Sequence, residues 1–540
     1  MARVLLLASD TVSFHSDEAI VGLMARHILQ GERPTFFYGQ AYMGSLDAWL
    51  VALGFQLFGD SVLTIRIVQS VLYLLIVLTG YLIAWRFSGK TTIALVTGLL
   101  LALPVPLLVL YTTASLGGYS EMLLFGNLVL LLGYEVAQDL NANIALNRRS
   151  LWKWALLGLC AGVGWWVNGL LIVYALPVST LLLYRLLRST SPHGRIRAAF
   201  VAIAVLTFFV GSLPWWVYNF DHQWSALAFY LPAPGVQNDT HVQYLDGLRT
   251  VPVESSEESG TNMAERFIGL LLFGIPGLTG LRFPWSSTFF LPVVGLPVTF
   301  LYLAALYTLA RDTQNKLLTA NGRILTLGMV VGLLAIFILS PFGKDPTGRY
   351  LLPLVLPFSI AFASLVERIN RGEALALRMR RGLQAALVLL VVVYAVFGQI
   401  TAATNEPGFT TQFDPITHIP HDADAALIAF LEEHNITRGY THYWVAYRLA
   451  FLSDERLLFV PALPYKFSLI LRLADDRYPA YSALVDESES FAFITANNAG
   501  LDALLVATFN AQGIQFEQAQ IGLYTVYYGF DAPPPRPLSR

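Results

Sequence analysis

Along the first 403 residues, apolar runs near 20 residues long alternate with short segments where Arg and Lys collect. After Thr404 the runs shorten, and Asp, Glu, His and Asn appear throughout. A helix needs about 20 apolar residues to cross a hydrocarbon core of about 30 Å. The pattern predicts ten spans, at about 62–85, 91–111, 118–136, 152–166, 169–187, 197–218, 287–310, 324–340, 350–366 and 383–403. Segment 266–282 is apolar enough for another, but its glycines and Pro276 predict an interfacial or re-entrant element. Counting it as a span would reverse the side of every later loop.

Composition agrees. Apolar residues make up 55% and charged residues 13%, with a mean hydropathy of +0.57, against roughly 25% charged in a soluble chain. A net charge of −2 excludes a strongly basic nucleic-acid binder. The single cysteine, Cys160, sits in an apolar run, which excludes an intrachain disulfide and a Cys-based metal site. Five short connections carry half of the 34 Lys and Arg: Arg86/Lys90, Arg148/Arg149/Lys153, Arg185/Arg188/Arg195/Arg197, Arg311/Lys316/Arg323 and Arg368/Arg371/Arg378/Arg380/Arg381. The excess of basic residues in cytoplasmic loops puts all five inside. Residues 10–61, 112–117, 219–286, 341–349 and the tail from 404 then lie outside. The basic clusters at 148–153 and 185–197 require the chain to go out and return between them, with the turn near Trp165-Trp166-Val167-Asn168.

At the beginning, only Val4 to Ala8 is apolar before Ser9-Asp10, too short for a span or a signal-peptide core. Either the amino terminus is exported or a first helix is missing from the chain as given. We favour the second, which makes about eleven spans with the amino terminus inside. The expected organisation is a polytopic α-helical transmembrane domain over 1–403, a Pro/Thr/Gly-rich linker over 404–420, a soluble extracytoplasmic α/β domain over 421–530, and a disordered end over 531–540.

The first external loop, 10–61, holds the most suggestive chemistry. His15-Ser16-Asp17-Glu18 opens a helix that Gly31 can end, with Ser16 or Asp17 as cap and acids suited to the helix dipole. Ile20, Leu23, Met24, His27 and Ile28 fall at helical spacing, so one face can lie on the membrane surface. A second amphipathic helix runs to Phe58. Two interfacial helices carrying carboxylates make a site at the membrane boundary; helix capping and surface anchoring are the plainer alternative.

These features resemble the GT-C membrane glycosyltransferases: the Asp17-Glu18 pair, the two interfacial helices, a span beginning Leu63-Thr64-Ile65-Arg66, and a many-span body with an extracytoplasmic tail. The likeness is to the group of protein O-mannosyltransferases and bacterial aminoarabinose transferases. It is strongest over 13–90 and extends to Gly117-Gly118-Tyr119-Ser120-Glu121, Gly164-Trp165-Trp166-Val167-Asn168, Leu213-Pro214-Trp215-Trp216 through Asn219, and Asp345-Pro346-Thr347-Gly348-Arg349-Tyr350-Leu351-Leu352-Pro353. The resemblance implies transfer of a sugar, with inversion, from a polyprenyl-phosphate carrier in the membrane lipid to an extracytoplasmic glycan, lipid or protein acceptor. It implies a plasma-membrane or inner-membrane location. Aminoarabinose transferases have Glu-Lys-Pro-Pro where this chain has Tyr42-Met43-Gly44-Ser45, so neither their donor nor a lipid A acceptor is implied. The tail lacks the repeated domain of eukaryotic protein mannosyltransferases, so a protein acceptor is not implied either.

By the same resemblance, Asp17 takes the place of the family's first-loop acid, and its chemistry suits a base that accepts the acceptor hydroxyl's proton. Glu18 points roughly 100° away around the helix and is a supporting acid. Arg349, with Lys344 and Tyr350, is the expected lipid-phosphate ligand, because guanidinium matches phosphate oxygens; the alternative is an ordinary boundary anchor. Glu121, inside a span, reads as a functional acid, and Asp47 as a weaker one. Trp166, Asn168, Trp216, Asn219 and His222 are candidates to line a sugar or acceptor pocket, or belong to an aromatic belt. A divalent cation at Asp17 and Glu18 stays open, two adjacent acids being weak grounds for one. A transporter or lipid flippase is the rival reading; it expects ionisable groups near mid-membrane. A noncatalytic protein that binds through its tail is a third.

Overall fold

The structure is a computed structural model. It describes residues 3, 6–7, 11–141, 148–188, 194–228, 241–253, 262–312, 317–340, 343, 345, 347–371, 376–412 and 418–538. The first loop forms helix α1 (Ser16–Gln30), a small hairpin of β1 (Phe36–Phe37) and β2 (Gln40–Gly44), and helix α2 (Leu46–Phe58). Helix α1 stops at Gly31, whose φ of 115° is open to glycine and strained for other residues. Two bent pairs follow the first span, α3 (Val62–Ser88), in the chain. The first is α4 (Thr91–Ala102) with α5 (Pro106–Thr113), at 67°. The second is α9 (Gly194–Gly211) with α10 (Leu213–Asp221), at 61°. Pro104 and Pro214 stand at these breaks, where a missing N–H interrupts the helix ladder.

Seven described helices are long and apolar enough to cross a membrane, or nine spans if each bent pair counts as one. The shortfall from ten is α7 (Arg148–Val167), which forms but is not apolar enough to count. It leans on α9, where a Cβ at Gly158 or Gly162 would run into the carbonyl oxygens of Ala204 and Phe208. The other spans are α6 (Tyr119–Asn141), α8 (Ile172–Arg188) with the turn before it, and, later in the chain, α12 (Pro292–Arg311), α13 (Ala320–Leu339), α14 (Val355–Arg371) with the turn before it, and α15 (Leu377–Thr404). Between α10 and α12, segment 263–279 folds as α11 (Met263–Gly269), a wider turn, and Ile275–Thr279. It is not among the spans.

Segments expected on one side meet at one end of the helical body. Ser115 donates to Asp47 of α2, and β3 (His241–Tyr244) of the 219–286 loop pairs with β4 (Thr250–Val253) and with β7 (Ile470–Arg472) of the tail. At the other end Arg86 pairs with Glu135, Lys153 bridges Glu135 and Asp139, and Lys90 donates to the Leu317 carbonyl at 3.1 Å. The two sets do not mix in any of these contacts.

The tail is an α/β unit. Its five-stranded sheet runs β6 (Leu458–Pro461), β5 (Arg438–Thr441), β8 (Ala492–Ala496), β10 (Tyr524–Tyr528), β9 (Glu517–Ile521), parallel across β6-β5-β8 and antiparallel beyond. Helices α16 (Asp424–Glu433), α17 (Tyr443–Leu452), α18 (Pro479–Asp486) and α19 (Ala499–Ala511) accompany it. Beneath α17, buried Arg448 donates to Asp424 at 3.0 Å and to the Ile419 carbonyl at 3.0 Å.

Three expectations change. The face of α1 expected on the membrane surface is buried instead, in one apolar cluster shared by α1, α2 and α17; Ile20, Leu23, Met24 and Ile28 all belong to it. Composition could not reveal a cover 400 residues away. The stretch expected as a linker is ordered over 404–412: the Phe409 carbonyl accepts from Ser13 N and Phe409 N donates to the Thr11 carbonyl, both at 3.0 Å. Residues 413–417 lie outside the described residues. The end expected to be disordered is docked as far as 538, with Arg536 donating to the Val485 carbonyl and the Tyr440 hydroxyl, each at 3.0 Å.

Candidate active site

Helices α1 and α17 lie side by side and parallel. At their beginnings Ser16 Oγ donates to the Tyr443 carbonyl, and near their ends Arg26 Nη1 donates to the Phe451 carbonyl at 3.0 Å. Gly22 makes this approach possible, since a Cβ there would strike the Phe451 ring. Both amino ends therefore come together, and Asp17 sits between them, half-buried, with Oδ1 accepting from the Tyr443 hydroxyl. Burial, and then the Asp17 carboxylate, hold the Tyr443 phenol well above its usual range, so Tyr443 stays a donor.

Glu18 turns the other way. It is fully buried and receives Arg66 Nε and Nη2 at 3.1 Å each, while Nη2 also donates to the Val12 carbonyl at 2.8 Å. A two-pronged guanidinium–carboxylate pair occupies both oxygens. Asp17 and Glu18 thus do not converge on one ion position, which corrects the adjacent-acid idea for a divalent cation. Among the described residues no group of three or more His, Cys, Asp or Glu is arranged to hold a metal.

Asp47 and Glu121 form a second acidic pair, buried where α2, α3 and α6 meet. Asp47 accepts from Gln69 Nε2 at 2.8 Å and from the Ser115 hydroxyl. Burial pushes its carboxyl above the usual carboxylate range. The pair lies inside the protein rather than open beside Asp17.

Arg349 stands at the mouth of the span leading into α14, 2.7 Å from Asp345 by its Nε, with its guanidinium 5.0 Å from the Tyr350 ring centre. Lys344 lies outside the described residues. Tyr42 on β2 lies within electrostatic reach of Tyr350 and Arg349 at this corner and of Arg477 and Arg472 in the tail. Burial pushes its phenol up to about 12, so it too remains a donor.

The expected sugar-pocket residues divide. Trp166 Nε1 donates to the Thr35 carbonyl at 2.9 Å, and the Met43–Asn168 bridge ties α7 to β2. The Asn168 side chain caps the turn before α8 by accepting from Leu170 N at 3.0 Å. Asn219 is spent within its own helix end, donating to the Trp215 carbonyl at 2.8 Å and accepting from Leu227 N at 3.2 Å. Trp216 donates to Ser212 Oγ at 3.0 Å, and exposed His222 stacks on Tyr218 at 4.0 Å. The Asn219 amide is thus engaged at both its nitrogen and its oxygen, the Asn168 amide at its oxygen. An apolar cavity of about 320 Å³ between α6, α7, α8 and α9, lined by Val129, Trp154, Leu157 and Phe208 among others, contains no acid or base among its lining residues.

Tyr443 and Arg477 are the residues that sequence reasoning missed. They lie in a tail without motifs, and Tyr443 meets Asp17 across 426 positions. No periodicity or spacing reports a contact of that range.

A many-span body with a two-helix first loop, capped by an α/β tail, is a fold shared with the solved structures of ArnT and AglB. No family model matches the chain. The relatives are undecaprenyl phosphate-α-4-amino-4-deoxy-L-arabinose arabinosyl transferases. That of Pseudomonas savastanoi pv. phaseolicola is 26% identical over 384 residues, covering 69% of this chain and 60% of the relative. That of Pseudomonas aeruginosa strain LESB58 is 27% identical over 405 residues, covering 74% and 60%. The chain thus spans about 60% of the length of the curated relatives it matches. Among solved structures, ArnT from Cupriavidus metallidurans in its apo state matches with a TM-score of 0.60 at 14% identity, covering 97% of this chain and 96% of that one. The same protein bound to undecaprenyl phosphate gives 0.58 at 16% over the same shares. The oligosaccharyltransferase AglB from Archaeoglobus fulgidus, in complex with an inhibitory peptide and a dolichol-phosphate, gives 0.52 at 11%, covering 97% and 71%.

Proposed function

We propose that this chain is an integral-membrane glycosyltransferase that moves a sugar from a polyprenyl-phosphate carrier to an acceptor outside the cytoplasm. The carrying observation is the half-buried Asp17 carboxylate at the start of α1, held by a phenol of the tail. One related fold of known structure holds undecaprenyl phosphate and another a dolichol-phosphate, which supports the same kind of carrier here.

In the reaction, an acceptor hydroxyl attacks the anomeric carbon as the bond from that carbon to the phosphate oxygen breaks. The phosphate leaves with the bonding electrons, Asp17 takes the hydroxyl proton, and configuration inverts. Asp17 suits the role because one oxygen is held and the other is left for the acceptor. Arg349 at the boundary suits the departing lipid phosphate. Glu18 and Arg66 fix the start of α1, and Asp47 with Glu121 fixes the junction beneath it. The distribution of basic residues supports a cell-membrane location with the first loop and tail outside.

Membranes containing the protein, supplied with a panel of polyprenyl-phosphate sugars, are expected to release polyprenyl phosphate with at least one donor. No release with any donor would overturn the reading.

A further inference from the structure

The tail domain does more than cover the first loop. Arg477 is 5% exposed, and among the described residues no carboxylate forms an ion pair with it. Its backbone N–H is fixed by the Tyr447 hydroxyl. Its Nη1 reaches the Gly39 carbonyl at 3.5 Å, and with the Gln40 amide turned to face it, that amide oxygen accepts from Nη1 and Nη2 at 3.0 and 2.8 Å. Gly39, at a φ of 68°, lies against the Arg477 side chain, so the guanidinium is clamped onto the first-loop hairpin. Its Nε–H is buried and has no acceptor. The guanidinium lies 5.4 Å from the ring centre of Tyr443, the residue that holds Asp17.

Burial works against the charge on Arg477, while Tyr443, Asp475, Tyr42 and Asp17 nearby favour it and hold the guanidinium above its ordinary range. Arg349, by contrast, is already paired with Asp345. Both guanidinium groups lie within electrostatic reach of Tyr42, and the Gln40 amide that takes Arg477 also meets the Tyr42 hydroxyl at 3.2 Å. A group that meets both guanidinium groups carries negative charge.

We propose that the tail supplies the second half of the active site: Arg477 binds the carrier phosphate together with Arg349, and Tyr443 is a positioning residue that holds Asp17 toward the acceptor. The assignment rests on the glycosyltransferase reading. As the sugar–phosphate bond breaks, negative charge grows on the phosphate, and a fixed, partly desolvated guanidinium stabilises that state more than the donor's. Tyr443 donates to Oδ1 of Asp17 alone, leaving Oδ2 for the proton.

The test uses the full chain in nanodiscs with undecaprenyl phosphate as the binding probe, alongside turnover of whichever donor the wild type accepts. R477Q is expected to weaken undecaprenyl phosphate binding at least tenfold and to lower kcat, with R477K recovering part of the binding. Y443F is expected to bind the probe within twofold of wild type while kcat falls at least tenfold. That split is one that general loosening would not produce. Thermal unfolding of each variant checks the fold, and R477K serves if R477Q does not fold. Probe binding by R477Q within twofold of wild type, or unchanged kcat in Y443F, overturns the proposal. A wild type that binds the probe, turns over donor, and is indifferent to these substitutions refutes this proposal alone. A wild type that does neither refutes the glycosyltransferase reading itself.

Discussion

Glu18 and Arg66 show how a residue can matter beside a site without taking part in its chemistry. Both are nearly inaccessible, and each satisfies the other's charge. Removing one partner leaves a buried charge or an unfilled fork and costs about 3–5 kcal/mol, whereas replacing both with apolar groups is often close to neutral. E18Q is therefore expected to lower unfolding stability by about that amount, and E18L/R66M to recover most of it, read by denaturant unfolding in detergent. An E18Q loss well under 1 kcal/mol would mean the pair is not buried as described. At this scale the sequence showed Asp17 and Glu18 together at a helix start but not their opposite fates. Adjacent helix positions diverge by about 100°, and only packing decides which side meets Arg66 and which meets Tyr443.

At the scale of elements, sequence patterning located most of the spans, because spans announce themselves by length and apolar content. It did not reveal what α1 packs against. An apolar face is the same signal whether lipid or protein covers it, and here α17 covers it. A polar seam extends that contact. The Tyr38 and Tyr478 hydroxyls donate to Glu32 at 2.6 Å each, and Tyr481 donates to Glu455 at 2.8 Å beside His27. Burial alone would raise the Glu32 carboxyl, but the two phenols and His27 hold it below its ordinary value of 4.5, and Glu455 is lowered likewise by His27 and Tyr481. A carboxyl lowered by folding stabilises the fold above its unfolded value, and that contribution fades as pH falls through the folded value. The melting-temperature gap between wild type and E32Q is thus expected to be widest near neutrality and to shrink as pH drops below 4.5. A gap that holds or widens down to pH about 3 would contradict the assigned direction.

For the molecule as a whole, the hydropathy pattern fixed a membrane body and an α/β tail, and the basic loops divided the chain between two sides. Contacts at the two ends of the body group the same segments. What remained invisible was the tail's share in the site, since Tyr443 and Arg477 reach the first loop only in three dimensions. The sidedness has a direct check in a Cys160→Ala background. Asn510→Cys, exposed on the tail, is expected to react with a membrane-impermeant maleimide in intact cells, and Arg311→Cys, exposed at the opposite end, only after permeabilisation. The reverse result would invert the topology.

The most direct measurement of the central claim is single-turnover release of polyprenyl phosphate by wild type and D17N, each saturated with a donor that the wild type accepts. General-base removal typically costs about 10²–10⁴-fold in rate. D17N is expected to bind that donor like wild type and to release carrier phosphate slower by about that factor; release at the wild-type rate would contradict the assignment of Asp17 as the base.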